Sequence, residues 1–157
     1  MRFLKYIKAP PAMPPIKDKS KVKRLYSHYR VRIMLSLIIG YGVFYFCRKN
    51  LSAATPGLIK DLGYTKTQIG ALWSVLYLVY GCSKVINGIF SDKLNARYFM
   101  AIGLFVSAFM NIFFGLSSSL IVLGIFWAFN GWFQGMGWPP CARLLAFWYS
   151  RNERGTA

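Results

Sequence analysis

Three basic side chains, Arg48, Lys49 and Lys84, stand inside stretches that are otherwise apolar. A cation near the centre of a bilayer costs about 2.5–3.5 kcal/mol on insertion scales, so such residues are rare in membrane spans and usually face a bundle interior or an aqueous cavity. Arginine presents a planar fork that grips a phosphate with two parallel charge-assisted hydrogen bonds, and lysine adds a point charge. The four carboxylates of the chain, Asp18, Asp61, Asp92 and Glu153, all fall outside the apolar stretches. The simplest missing counter-charge is therefore an anion that comes and goes. Two cations with tyrosine hydroxyls around one pocket describe a phosphoryl-group site.

Helical phase supplies the neighbours. Tyr41, Tyr45, Arg48 and Ser52 follow the i, i+4, i+7, i+11 rhythm of one helix face, and Trp73, Tyr77, Tyr80 and Lys84 repeat it. Each cation thus ends a stripe of side chains with polar tips. Lys49 lies about 100° around the helix from Arg48, so it supports the stripe less directly. The competing reading is snorkelling: Arg48 and Lys49 into the outer headgroups, and Lys84 into the inner ones. Against it for the first pair, residues 51–54 continue the apolar run, and the positive-inside bias disfavours two bases at an outer face.

The elements that must position these residues are membrane helices. The chain of 157 residues is 55% hydrophobic, 18% aromatic and only 15% charged, with a mean hydropathy of +0.37, which excludes an ordinary soluble domain. Four stretches, 33–54, 68–90, 98–117 and 119–141, approach the roughly 20 residues needed to cross about 30 Å of hydrocarbon. Short connections at 55–67, 91–97 and 117–119 make consecutive spans antiparallel. Twenty bases against four acids give a net charge of +16. Ten of the 20 bases precede Ile33, which places residues 1–32 in the cytoplasm; Lys93, Arg97 and the tail from Ser150 alternate onto the same side. The proline- and base-rich segment 1–32 reads as a flexible strip against anionic lipid, ending in an interfacial helix through Leu25, Tyr26 and Tyr29. Nucleic acid is not the expected partner, because such a domain would not carry these apolar spans. A cleavable leader is not expected either, since 32 mostly polar residues precede the first apolar run. Cys47, Cys82 and Cys141 read as small core residues; with a single histidine, His28, in the basic strip, they offer neither a disulfide framework nor a metal site. No paired carboxylates or nucleophile–base pair lie on any span, so an enzyme is not expected.

Two further patterns bear on movement. In the connection after the second span, Gly88 suits close approach of a neighbouring helix, Asp92 can accept hydrogen bonds or pair with a base, and Lys93 and Arg97 hold the cytoplasmic side. In the fourth span Trp127, Asn130, Gln134 and Trp138 share a stripe, and Gly131 and Gly135 form a GxxxG step that lets helices touch. Pro139 and Pro140 break that helix, a break tolerated at membrane depth only where the backbone faces protein or a cavity.

These residues, namely 45–50 (Tyr-Phe-Cys-Arg-Lys-Asn), 80–84 (Tyr-Gly-Cys-Ser-Lys), the connection 88–97, 131–143 and 148–155, resemble in order the N-terminal third of major facilitator superfamily transporters of the organophosphate:phosphate antiporter family. Residues 91–100 are more similar to hexose-phosphate carriers and their sensor relatives than to glycerol-phosphate carriers. The resemblance implies an all-α membrane protein, the first four helices (33–149) of a twelve-helix fold whose halves rock around a midplane site, with 150–157 opening the next cytoplasmic loop and eight helices still to follow. It implies exchange of inorganic phosphate for a sugar phosphate in a bacterial inner membrane, without a cofactor. Arg48 takes the part of main phosphate ligand, Tyr80 and Lys84 line the path with Lys49 in support, and Tyr41, Tyr45, Tyr77 and Trp138 complete the lining. A receptor that senses external hexose phosphate and acts on a signalling kinase is the alternative, and by itself the segment is not expected to transport.

Overall fold

A computed structural model describes residues 14–155. Five helices account for most of them: α1 (Lys19–Leu62), α2 (Lys66–Lys93), α3 (Ala96–Gly115), α4 (Leu120–Gln134) and α5 (Trp138–Trp148). With α4 and α5 taken as one interrupted unit, Leu120–Trp148, these make four helical segments long and apolar enough to cross a membrane. They run up and down. Tyr26 on α1 meets Trp148 at the end of α5 on one side, and Tyr64 donates from its hydroxyl to the Ser118 carbonyl on the other.

The helix ends differ from the sequence expectation in instructive ways. The first helix begins at Lys19 rather than at residue 33, because the Asp18 carboxylate caps it, accepting from the Ser20 and Lys21 amides at 2.9 and 3.3 Å. The polar stretch 19–32 is therefore a continuation of the first span rather than a separate interfacial helix. The remainder of the proposed strip, residues 1–13, lies outside the described residues. At its other end α1 runs through Pro56 and Gly57 and stops only at Gly63, whose φ of 68° is the left-handed conformation that ends helices. Proline forfeits a single hydrogen bond there, which a helix of 44 residues tolerates. The second connection shrinks to Leu94 and Asn95, since α2 continues to Lys93 and the Asn95 side chain caps α3 through the Arg97 amide at 3.1 Å.

Packing concentrates on α4. A Cβ added to Gly131 would lie 2.8 Å from the Leu76 carbonyl oxygen, and one on Gly135 would collide with the Ser83 hydroxyl, so both glycines of the GxxxG step form the seam with α2. A buried cluster of Leu51, Ile69, Leu72, Leu76, Phe114, Leu123 and Trp127 joins all four spans on the side of the α1–α2 connection. Gly88 does not behave as expected: an added Cβ would meet nothing within 4 Å among the described residues, so it makes no close helix approach there. The cysteines also divide, with Cys141 buried, Cys47 half-buried and Cys82 exposed, which corrects the reading of all three as core. The position of Cys82 on α2, just before the buried Ser83, turns it out of the seam.

The fourth span breaks before its prolines. Pro139 and Pro140 have no N–H to give to the preceding turn and their rings clash with its carbonyls, so an α-helix cannot continue from residues 135 and 136. Instead the amides of Gly135, Met136 and Gly137 bond the carbonyls three residues back, at 3.2, 3.1 and 3.2 Å, and α5 restarts with the prolines in its first turn. The three residues are buried against Phe44, Ser83 and Gly103 from the other three spans. Irregular backbone at membrane depth is thus enclosed by protein, as it must be where water is absent.

At the end where α1 starts, the tail after α5 folds back onto α1. Tyr26 stacks on Trp148 with ring centroids 5.5 Å apart and donates to its carbonyl at 2.6 Å. Arg30 pairs with Glu153 at 2.7 Å and lies over the Tyr149 ring at 4.3 Å. Hydrogen bonds from the Ser150 hydroxyl and from Arg30 hold the Glu153 carboxyl down at about 2, from an ordinary value of 4.5. Because the folded value is depressed, the clasp's contribution is fully present above pH 4.5 and is lost as pH falls through about 2. Glu153→Gln should therefore lower the midpoint of thermal unfolding by an amount constant from pH 8 to about 5 and fading between about 4.5 and 2. A difference that grows on acidification would contradict the assignment.

Candidate functional site

Arg48 is only 7% exposed, and the elements around it explain how a cation can be kept there. Its guanidinium lies over the Tyr80 ring of α2 at 4.2 Å and beside the Tyr45 ring at 5.2 Å, contacts that stabilise a partly desolvated cation. Gln134, the last residue of α4, accepts from Nε at 3.4 Å and from Nη2 at 3.2 Å. Lys84, one helical turn past Tyr80, brings its ammonium to 4.6 Å from the same ring. Tyr80 is thus shared by both cations and joins the two stripes. Snorkelling does not describe Arg48, which is enclosed on three helices.

From Arg48 an aromatic path leads toward the break in the fourth span. Tyr45 meets Tyr41 edge to face at 5.3 Å, and Tyr41 meets Trp138 at 5.5 Å. Tyr45 and Trp138 remain partly open, so the path has an accessible wall. The break lies at the same level, since a Cβ on Gly135 would also come within 3.2 Å of the Lys84 amide. Two expected members stand apart. Tyr77 is exposed and stacks on Trp73 at 5.7 Å, and Trp73 in turn packs on the buried Trp127. Lys49 is exposed on the flank of α1, consistent with the rotation that separates it from Arg48.

Sequence reasoning missed the partners of the fourth-span amides. Asn130, Ser107 and Gln134 are buried and joined: Ser107 Oγ donates to Asn130 Oδ1 at 2.7 Å, and Gln134 Nε2 donates to Ser107 Oγ at 3.1 Å. Asn130 Nδ2 donates to the Cys47 carbonyl at 3.1 Å, tying α4 to the residue before Arg48. Asn111 extends the network to Asn50 on α1. The shared stripe of Asn130 and Gln134 was visible; their partners on α1 and α3 were not.

Among the described residues the one ion pair is Arg30–Glu153 at the chain's clasp, so no carboxylate neutralises Arg48 or Lys84. No group of metal-ligating side chains occurs among them either. In the 88–97 connection Asp92, Lys93 and Arg97 are exposed. What fixes that connection is Arg143 of α5, which donates from Nη1 to the carbonyls of Ser91 at 2.5 Å and Leu94 at 3.1 Å. Those carbonyls are left over by the end of α2, and a cation there also suits the helix dipole.

Four apolar helices around an unneutralised buried cation, with a broken helix at its side, define the class: a multi-pass membrane protein with a polar site at membrane depth. The family model described as Major Facilitator Superfamily matches residues 37–157, and the chain belongs to that superfamily. Over 154 residues it is 51% identical to a probable hexose phosphate transport protein of Chlamydia pneumoniae, covering 98% of this chain and 34% of that protein. It is 47% identical over 153 residues to the membrane sensor protein UhpC of Salmonella typhimurium, covering 98% and 35%. With the glycerol-3-phosphate transporter of Bacillus subtilis it shares 45% over 143 residues, covering 88% and 32%. The chain spans about a third of the length of these curated relatives.

Proposed function

We propose that this chain supplies one wall of the substrate pocket of a secondary transporter that exchanges inorganic phosphate for a sugar phosphate, hexose phosphate foremost. The observation that carries the reading is the buried Arg48 guanidinium, which has neutral partners only among the described residues. A dianion entering the pocket supplies the charge that the chain withholds, and burial makes that interaction far stronger than it would be in water. In this reading Arg48 grips the phosphoryl oxygens with its planar fork, Lys84 adds a second positive charge, and Tyr80 fixes the plane of the guanidinium. Tyr41, Tyr45 and Trp138 line the route, Tyr77 borders it, and Lys49 contributes potential from the flank. The rest of the wall, including a further cation for the phosphate, comes from the eight further helices of the fold.

Moving between inward- and outward-open forms requires the two halves to rock. The connection carrying Gly88, Asp92, Lys93 and Arg97, held by Arg143, is the element on this chain placed to meet the other half at the cytoplasmic side. The excess of bases at the α1 start supports an N terminus in the cytoplasm, against the anionic leaflet of a bacterial inner membrane. No bond is made or broken in such exchange, so no cofactor is required.

Vesicles containing the full-length protein and loaded with phosphate should take up labelled hexose 6-phosphate and release phosphate in return. The similarity to a membrane sensor favours a second reading, a receptor for external hexose phosphate that acts on a signalling kinase. Such a receptor would bind the ester through the same cations with little flux, so binding without exchange selects it. Neither binding nor exchange would overturn both.

A further inference from the structure

Arg48 is aimed by a group that takes none of its charge. Gln134 Oε1 faces Nε and Nη2 of the guanidinium, and the amide cannot readily turn, because its Nε2 is engaged behind it by Ser107 Oγ at 3.1 Å and Asn130 Oδ1 at 3.4 Å. Turning it over would bring an NH2 group against the cation and leave its oxygen facing Asn130 Oδ1, another acceptor. Asn130 Oδ1 is itself pinned by the Ser107 hydroxyl at 2.7 Å and by Asn111 Nδ2 at 3.3 Å. Every member of this chain of contacts is neutral, and Asn130 and Gln134 are at most 1% exposed.

A carboxylate at position 134 would orient the guanidinium equally well and bind it more strongly, yet it would cancel the charge. The bonds to the amide, at 3.2 and 3.4 Å, are long for N–H···O contacts, as suits a group that steers without gripping. We infer that Gln134 is the positioning residue of the anion site: its amide oxygen, fixed by Ser107 and Asn130, directs the Arg48 fork while leaving the positive charge for the ligand. This rests on the reading of Arg48 as the phosphate ligand. Gln134 itself need not touch substrate.

Exchange of labelled inorganic phosphate by the full-length protein in proteoliposomes provides the test. Gln134→Glu, nearly isosteric, should raise KM for phosphate roughly 100-fold, because the ligand must compete with an attached counter-charge. Gln134→Met, neutral and of similar volume, should raise KM only about tenfold with kcat within about twofold, since orientation alone is lost. Ser107→Ala leaves Gln134 in place but loosens the hold on its amide by removing one of the two acceptors of Nε2, and should raise KM about threefold to tenfold. A Gln134→Glu protein that inserts normally and keeps KM within about threefold of native overturns the inference, as do Glu and Met variants of equal effect. Should Gln134→Glu fail to insert, unchanged KM in both Gln134→Met and Ser107→Ala overturns it. Native protein that neither binds nor exchanges phosphate sinks the underlying site reading instead, which is distinguishable from native exchange with an indifferent position 134.

Discussion

Arg48→Lys should abolish exchange, lowering its rate at least about 100-fold while the protein still inserts, because lysine keeps the charge but loses the planar fork and the stacking on Tyr80. The guanidinium reaches Tyr80, Tyr45 and Gln134 at once; an ammonium on a flexible stem cannot satisfy all three directions. The loss is expected in both KM and kcat, since a phosphoryl group held off its productive position also delays the rocking that follows binding. Transport assays with protein quantified in the same vesicles check this. Retention of more than about a tenth of native exchange would mean that charge alone suffices, and that the fork geometry is incidental.

Gly131→Val should have the second large effect, on assembly rather than on transport. A Cβ at that position meets backbone, 2.8 Å from the Leu76 carbonyl oxygen and 3.4 Å from the Leu76 Cα, and backbone on a packed helix has no rotamer to change. The expected destabilisation is about 3 kcal/mol, the upper part of the range for overpacking, and would remove a large share of a typical margin of stability. At Gly124 on the same helix an added Cβ meets only the tip of Leu72, at 3.9 Å, so Gly124→Ala should leave the yield of folded protein unchanged. Detergent-solubilised yield and thermal midpoint report both. Equal behaviour of the two variants would mean that α2 and α4 do not meet at this seam.

The charges were legible in the sequence because their cost is independent of fold: an arginine amid apolar residues demands an explanation wherever the helices go. The tyrosine stripes were legible too, since 3.6 residues per turn fixes which side chains share a face. Tyr77 shows the limit of that rule. A stripe twelve residues long follows the helix past two different neighbours, and Tyr77 pairs with Trp73 whereas Tyr80 meets both Arg48 and Lys84. The start of α1 was hidden because the polar stretch 19–32 is steadied by residues from the far end of the chain, Trp148 and Glu153. The stripe that carries Gln134 was legible; its aim at Arg48 depends on which turn of α1 lies opposite the end of α4, and periodicity does not encode that. Arg143 drew no reading of its own from the sequence, because its partners are backbone carbonyls exposed by the end of α2.

Nitrogen-15 and phosphorus-31 solid-state spectroscopy of the full-length protein in lipid, with arginine labelled and Arg48 assigned by substitution, measures contact between guanidinium and phosphate directly. Saturating inorganic phosphate is predicted to produce a through-space 31P–15N coupling at the Arg48 side-chain nitrogens, and excess hexose 6-phosphate to replace its partner with the ester phosphorus. Vigorous exchange in the same sample with no coupling at Arg48 would contradict the idea that this buried cation receives the travelling anion.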